Sequence, residues 1–197
     1  MQVSEAQSED ELKRRYLAHV ETALALKPGA VVADIGSGDT PEFLPFLSKA
    51  VGQSGKVICV DIHEKALEKL RHYLEENGAT NAQTHLGKPD DPMLPANSVD
   101  AVLISFAYHE MPEHDAMLAH IRTALRPEGR LVVIEAISVK NRDALREDQV
   151  KHHELSPEIL QHELAATGFT SLNGIEKLVE NGGVLRYLIS ARGHKKE

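Results

Sequence analysis

The chain reads as an α/β protein: a Rossmann-like sheet of seven strands, mostly parallel, with helices on both faces and an antiparallel last strand. Two patterns predict this. Between residues 30 and 136, short apolar runs alternate with amphipathic helical stretches, the order that buries a parallel sheet between two layers of helices. The last two apolar runs are joined instead through "ENGG", a hairpin signal that makes this pair antiparallel.

The elements follow in order. A first helix falls within residues 1–27, where Ser8 and Glu11 form a capping box and Leu12, Tyr16, Val20 and Leu24 share one face. Strands are expected at 30–35 (AVVADI), 56–61 (KVICVD), 82–86 (AQTHL), 99–105 (VDAVLIS) and 130–136 (RLVVIEA). Between them, Leu67, Leu70 and Leu74 with Ala66 and Tyr73 define one helix, and Leu118, Ile121 and Leu125 with Met117 and Ala124 another. The last helix opens at "SPEIL", with Ser156 as N-cap and Pro157 at the first helical position, and stops at Gly168. "FTSLNGIEKLV" and "VLRYLISA" supply the closing strands. The polar connection 138–155 is long for a compact domain and reads as an active-site lid. With 197 residues and no linker or repeat in view, a single domain spanning 1–197 is expected.

Composition narrows the partners. A formal net charge of −8 argues against holding nucleic acid, which needs a basic face to neutralise phosphates, and points to a small-molecule substrate. Cys59 stands alone in the apolar run "VICV", so it reads as a core residue in a reducing compartment, with no disulfide framework and no cysteine-based zinc site. The first residues lack the apolar segment of a signal peptide, and no run reaches membrane-spanning length. A cytoplasmic protein without a membrane partner is expected; oligomeric state leaves no mark in the sequence.

The stretch "VVADIGSGDTPEFL" at 31–44 connects the first strand to a helix, where an open parallel sheet binds ligands. Gly36 and Gly38 let the backbone approach a ligand closely. Asp39, Thr40 and Pro41 stand where a third glycine is usually sought, and Thr40 as N-cap with Pro41 after it would open the helix by another route. A dinucleotide is one candidate, with Asp61 at the end of the second strand to accept ribose hydroxyls. Asp34 and Pro41 disfavour it, because the carboxylate would face a pyrophosphate. A cationic ligand suits Asp34 better, and S-adenosylmethionine carries both an ammonium and a sulfonium, with a carboxylate for the backbone N–H groups of the turn.

At this point the sequence resembles the class I S-adenosylmethionine-dependent methyltransferases, from about Lys27 onward. "LKPGAVVADIGSG" looks like the family's first motif and "VICVDI" like its second, "LGKPDDPMLPANSVDAVLIS" is similar to its adenine-side segment and fourth strand, and "ALRPEGRLVVIEA" resembles the strand before the active-site lid. More narrowly, "AYHEM" followed by "HHELSPEILQHELAATGF" is similar to a bacterial subgroup of small methyltransferases with a "YHEM"-type motif after the fourth strand. The resemblance implies S-adenosyl-L-methionine as cofactor, held by Asp34, Gly36, Ser37, Gly38, Asp61, Ile62 and Ser105. Lys88 stands where many relatives carry an acid that meets the adenine amino group, and Asp90 or Asp91 is expected to take over that role.

Methyl transfer needs its nucleophile near and aligned, which contributes about 7–11 kcal/mol in well-oriented systems, and a base only if the nucleophile starts protonated. Tyr108, His109 and Glu110 follow the fourth strand and are expected to open onto the same crevice as the glycine turn. His109 is the candidate base, since a histidine titrates near neutral pH; Glu110 would hold its tautomer or meet the substrate. His152 and His153 could join His109, but their spacing shows no fixed ligand set, and no metal is expected. The function expected is therefore methyl transfer to a small molecule. The alternatives are a non-catalytic S-adenosylmethionine-binding protein or a nicotinamide-dependent oxidoreductase.

Overall fold

The computed structural model describes residues 16–39, 42–181 and 183–193. Its centre is a seven-stranded sheet in the order β3-β2-β1-β4-β5-β7-β6. The strands are β1 (Val31–Ile35), β2 (Lys56–Asp61), β3 (Ala82–Leu86), β4 (Val99–Ser105), β5 (Leu125–Ser138), β6 (Thr170–Asn181) and β7 (Val184–Arg192). Every pairing from β3 to β5 is parallel, whereas β7 runs antiparallel to both β5 and β6. The strand order therefore reverses between β1 and β4, and this is where a crevice opens beyond the carboxyl ends of the strands.

Alternation along the strands fixes the two faces. Val32, Cys59, Leu103 and Ile134 point to one side, where they pack against α1 (described over 16–24) through Val20 and Leu24 and against α2 (Leu44–Val51) through Leu44 and Leu47. Leu70 and Leu74 of α3 (Glu64–Glu76) complete that layer. Ala33, Val60, Ile104 and Val133 point to the other side, against Leu118 and Ile121 of α4 (His114–Ala124) and Leu160 and Leu164 of α6 (Pro157–Ala166). Cys59 is fully buried mid-strand.

Three expectations about the elements are corrected. The helix after the glycine turn starts at Leu44, with Pro45 in its first turn, because the buried stripe Leu44, Leu47 and Val51 decides its register; Thr40 and Pro41 lie outside the described residues, as do Ser8, Glu11 and Leu12. Leu125 opens β5 rather than closing α4. The fifth strand is longer at both ends than 130–136, since Val99 pairs with Leu125 across an irregularity in the β4–β5 ladder.

The connection 138–155 folds around one side chain. It holds a 3₁₀ turn (Val139–Asn141) and α5 (Arg146–Val150). The Gln149 amide, fully buried, donates to the carbonyls of Asn141, Arg142 and Ala144 at 3.1, 3.0 and 3.0 Å, and its oxygen accepts from the Ser156 N–H at 2.7 Å. Ser156 then caps α6, its hydroxyl accepting from the Ile159 N–H at 3.4 Å, with Pro157 in the first turn. Among the described residues no helix is long and apolar enough to cross a membrane.

Candidate active site

A cleft of about 540 Å³ lies at the carboxyl ends of β1, β2 and β4, a volume suited to a nucleoside-sized ligand. Its floor is the glycine turn. Gly36 has φ +76°, and a Cβ there would fall 2.4 Å from Cβ of Ala107, so only glycine fits between the two loops. Gly38, at φ +60°, has no atom within 4 Å of the place a Cβ would take. Asp61 is 13% exposed at the cleft wall. Its carboxylate is already oriented, one oxygen accepting from the Gly38 N–H and the other from the His63 N–H, each at 2.9 Å. A carboxylate accepts about four hydrogen bonds, so positions remain open toward the cleft. Ile62, 47% exposed despite its size, covers one side, with Lys88, Pro89, Pro92, Met111 and Met117 opposite in the lining.

Asp34 lies behind this turn on the α1 face and is 5% exposed. Burial pushes its carboxyl up to about 7, and the Glu42 carboxylate adds to the rise. Among the described residues no cation pairs with it. Ser105, at the end of β4 on the same face, has its buried hydroxyl beside that of Tyr16, and among the described residues neither makes a well-formed hydrogen bond. Ser37 turns back to the sheet, its backbone N–H and hydroxyl both directed at the Val60 carbonyl. Neither Asp90 nor Asp91 lines the cleft, whereas Lys88 does; Asp91 accepts from the Met93 N–H at 2.7 Å and lies 3.7 Å from His120.

The segment after β4 forms a 3₁₀ turn (Tyr108–Glu110), and its three side chains part company. Tyr108 was expected in the crevice but is fully buried on the α4–α6 side, its hydroxyl donating to Glu163 at 2.9 Å. Glu163 also accepts from Arg146 Nε at 2.6 Å and lies 3.3 Å from His114 Nε2. His109 is 7% exposed; its Nδ1 lies 2.9 Å from the fully buried Glu135, which also accepts from the His109 backbone N–H at 3.1 Å. Burial opposes the charged imidazole, yet the hydrogen bond and charge of Glu135 outweigh it and raise the histidine's pKa. With Nδ1 engaged, Nε2 is the free edge. It faces a second cleft of about 810 Å³, lined by His109, Glu110, Leu145, Arg146, Val150 and His153 among others. Glu110, Met111 and Pro112 line both clefts, so the two meet along this turn. Arg146 brings a buried Nη2 with no partner.

Glu135, Gln149, Arg146 and Glu163 have no counterpart among the expected site residues. Glu135 carried a signal, an acid inside the apolar run "LVVIEAI", since a buried carboxylate requires a partner. The others depend on contacts across the fold.

Sheet order and cleft position together define an enzyme fold of the methyltransferase type. A family of methyltransferase domains matches residues 32–129. The chain is 33% identical over 124 residues to a ubiquinone/menaquinone biosynthesis C-methyltransferase, UbiE, from Paraburkholderia phymatum, covering 63% of this chain and 50% of that protein. The chain spans about half the length of the curated relatives it matches. In structure it resembles a SAM-dependent methyltransferase from Aquifex aeolicus, with TM-score 0.74 and 25% identity over 89% of this chain and 88% of that one. It also resembles the [4+2]-cyclase SpnF, with TM-score 0.72 and 16% identity over 90% and 80% of the two chains, a likeness of fold alone. Residues 32–129 thus match a methyltransferase domain, and the fold is that of the class I S-adenosylmethionine-dependent methyltransferases.

Proposed function

We propose that this protein transfers a methyl group from S-adenosylmethionine to a small-molecule acceptor, the cofactor occupying the cleft over the glycine turn and the acceptor the adjoining one. The observation that carries the reading is the meeting of the two clefts along Glu110, Met111 and Pro112. The residues present fit the cofactor. Gly36 and Gly38 leave a cradle that a Cβ at Gly36 could not share with Ala107, and Asp61 is set by two N–H donors to meet the vicinal hydroxyls of a ribose. Asp34, buried with no cation beside it among the described residues, suits the ammonium group of the methionine end.

When bound, S-adenosylmethionine supplies a methyl group on a positively charged sulfur. The chain's own residues bind and orient. Ile62, Pro89 and Met111 offer apolar walls for a planar base, while Lys88 takes the rim where an acid was expected. His109 meets the acceptor with Nε2, its ring angle set by Glu135, and Arg146 lends its positive charge to the same wall. Residues 138–155, tied down through Gln149, act as the cover that keeps water from the reacting groups. The net charge of −8 favours a small acceptor over nucleic acid.

Asp61→Ala tests the assignment of the first cleft. Loss of a charge-assisted pair of hydrogen bonds is expected to weaken S-adenosylmethionine by about 1.5–3 kcal/mol in calorimetry. A folded variant that binds as tightly as wild type would remove Asp61 and with it the orientation of the cofactor. Conversion to S-adenosylhomocysteine, followed across a panel of acceptors, then tests the transfer itself.

A further inference from the structure

We propose that His109, Glu110 and His153 form a binding site for a divalent transition-metal ion at the junction of the two clefts, where the ion would hold an ionisable oxygen of the acceptor. The donor atoms of the three side chains lie within 4.8 Å of one another. Glu110 Oε1 is 3.9 Å from His109 Nε2 and 3.5 Å from His153 Nδ1. Bonds of about 2.0–2.2 Å to nitrogen and oxygen place the donors of a tetrahedral ion roughly 3.3 Å apart, so the cluster needs only a small closure. Glu110 and His153 are exposed and can make it by side-chain rotation, while His109 stays fixed.

The rest of the geometry belongs to such a site. His109 directs Nδ1 at the buried Glu135 at 2.9 Å, the carboxylate–histidine arrangement that fixes the tautomer of a metal ligand and leaves Nε2 with its lone pair outward. His153 adopts φ +56°, unusual for a residue with a side chain. It is held there by hydrogen bonds at the end of α5, where its own N–H reaches the Val150 carbonyl at 3.1 Å and the Glu154 N–H reaches Gln149 at 3.2 Å. The turn brings its ring to 5.6 Å from that of His109. The three donors come from two elements separated by more than forty residues of sequence, which is why spacing alone did not show them.

Two imidazoles and one carboxylate favour zinc, cobalt, nickel or iron over magnesium or calcium. Three protein ligands leave coordination positions open, and these face the cleft that Arg146 also lines. An acceptor hydroxyl or enol bound there gives up its proton to solvent more readily, as metal-bound water does, and presents an anionic oxygen beside the first cleft. This last step rests on the reading of the second cleft as the acceptor's, with the ion between His109 Nε2 and the acceptor oxygen in place of their direct contact; the metal site does not.

Cobalt(II) titration of the tag-free full chain, followed by visible absorption, tests the site, with S-adenosylmethionine affinity measured on the same samples. One cobalt per chain with the intense bands of four- or five-coordination is expected, and zinc should displace it. His153→Ala should weaken cobalt at least tenfold while binding S-adenosylmethionine like wild type; His152→Ala, its exposed neighbour, should leave cobalt binding unchanged. Equal losses in the two variants, or none in His153→Ala, would overturn the proposal. Tight cobalt binding in a protein that fails to bind S-adenosylmethionine would uphold the metal site and overturn the methyl-transfer reading instead.

Discussion

The two halves of the site treat buried carboxylates in opposite ways. Beyond β4, each has partners: Glu135 holds His109, and Glu163 collects Tyr108, Arg146 and His114. Beside the glycine turn, Asp34 is just as deeply placed, but among the described residues it has another acid, Glu42, acting on it and no cation. A paired buried charge organises its surroundings, whereas an unpaired one costs stability until something of opposite sign arrives. The buried carboxylates beyond β4 are thus matched as folded, and Asp34 leaves a deficit that a cationic ligand would relieve.

The largest expected effect comes from breaking the paired side. Glu135→Ala strands His109 and should cost about 3–5 kcal/mol in urea unfolding, with S-adenosylmethionine affinity changed little. A parallel collapse of cofactor binding would mean that the halves are not separable. On the unpaired side the sign reverses. With the Asp34 carboxyl raised to about 7, well above its unfolded value near 4, the contribution of Asp34 to stability is fullest below about pH 4 and is lost as pH climbs to about 7. Asp34→Asn should therefore match wild type at pH 4 and exceed it at pH 8 by about 2–4 kcal/mol, while binding S-adenosylmethionine more weakly. Equal stability at pH 8 would show that Asp34 is not the deficit described. The smallest effect should be Ser156→Ala, which removes a neutral cap beside the Gln149 strap and is expected to cost about 1 kcal/mol. A loss as large as that of Glu135→Ala would locate the stability of this half in its backbone rather than its charges.

The same contrast explains what the sequence disclosed. The cofactor half is built from neighbours in sequence: a strand, two glycines, and an acid at the next strand's end, all visible as "VVADIGSG" and "VICVD". Strands 56–61 and 99–105 have the expected bounds because apolar runs buried in a parallel sheet leave little choice, and 82–86 has them at the sheet edge, where its residues are half-buried or exposed. The acceptor half is built from pairs far apart, His109 with Glu135 at a separation of 26 residues and Tyr108 with Glu163 at 55. Tyr108 was misplaced for that reason: a 3₁₀ turn sends successive side chains in different directions, and only the distant Glu163 explains which way its hydroxyl goes. The start of α2 was misplaced by a different route, when a helix-opening proline outweighed the stripe of Leu44, Leu47 and Val51 that determines burial.

Cys59 gives the molecule a built-in clock. It is the sole cysteine of the chain, lies fully buried in β2 opposite Asp34, and has its thiol pushed up to about 12 by burial and by that carboxylate. Alkylation requires an exposed thiolate, so a reagent in solution can label Cys59 only in molecules whose α1–α3 layer has lifted from the sheet. Its labelling rate therefore counts openings of the cofactor half, one molecule at a time, while leaving the acceptor half unmarked.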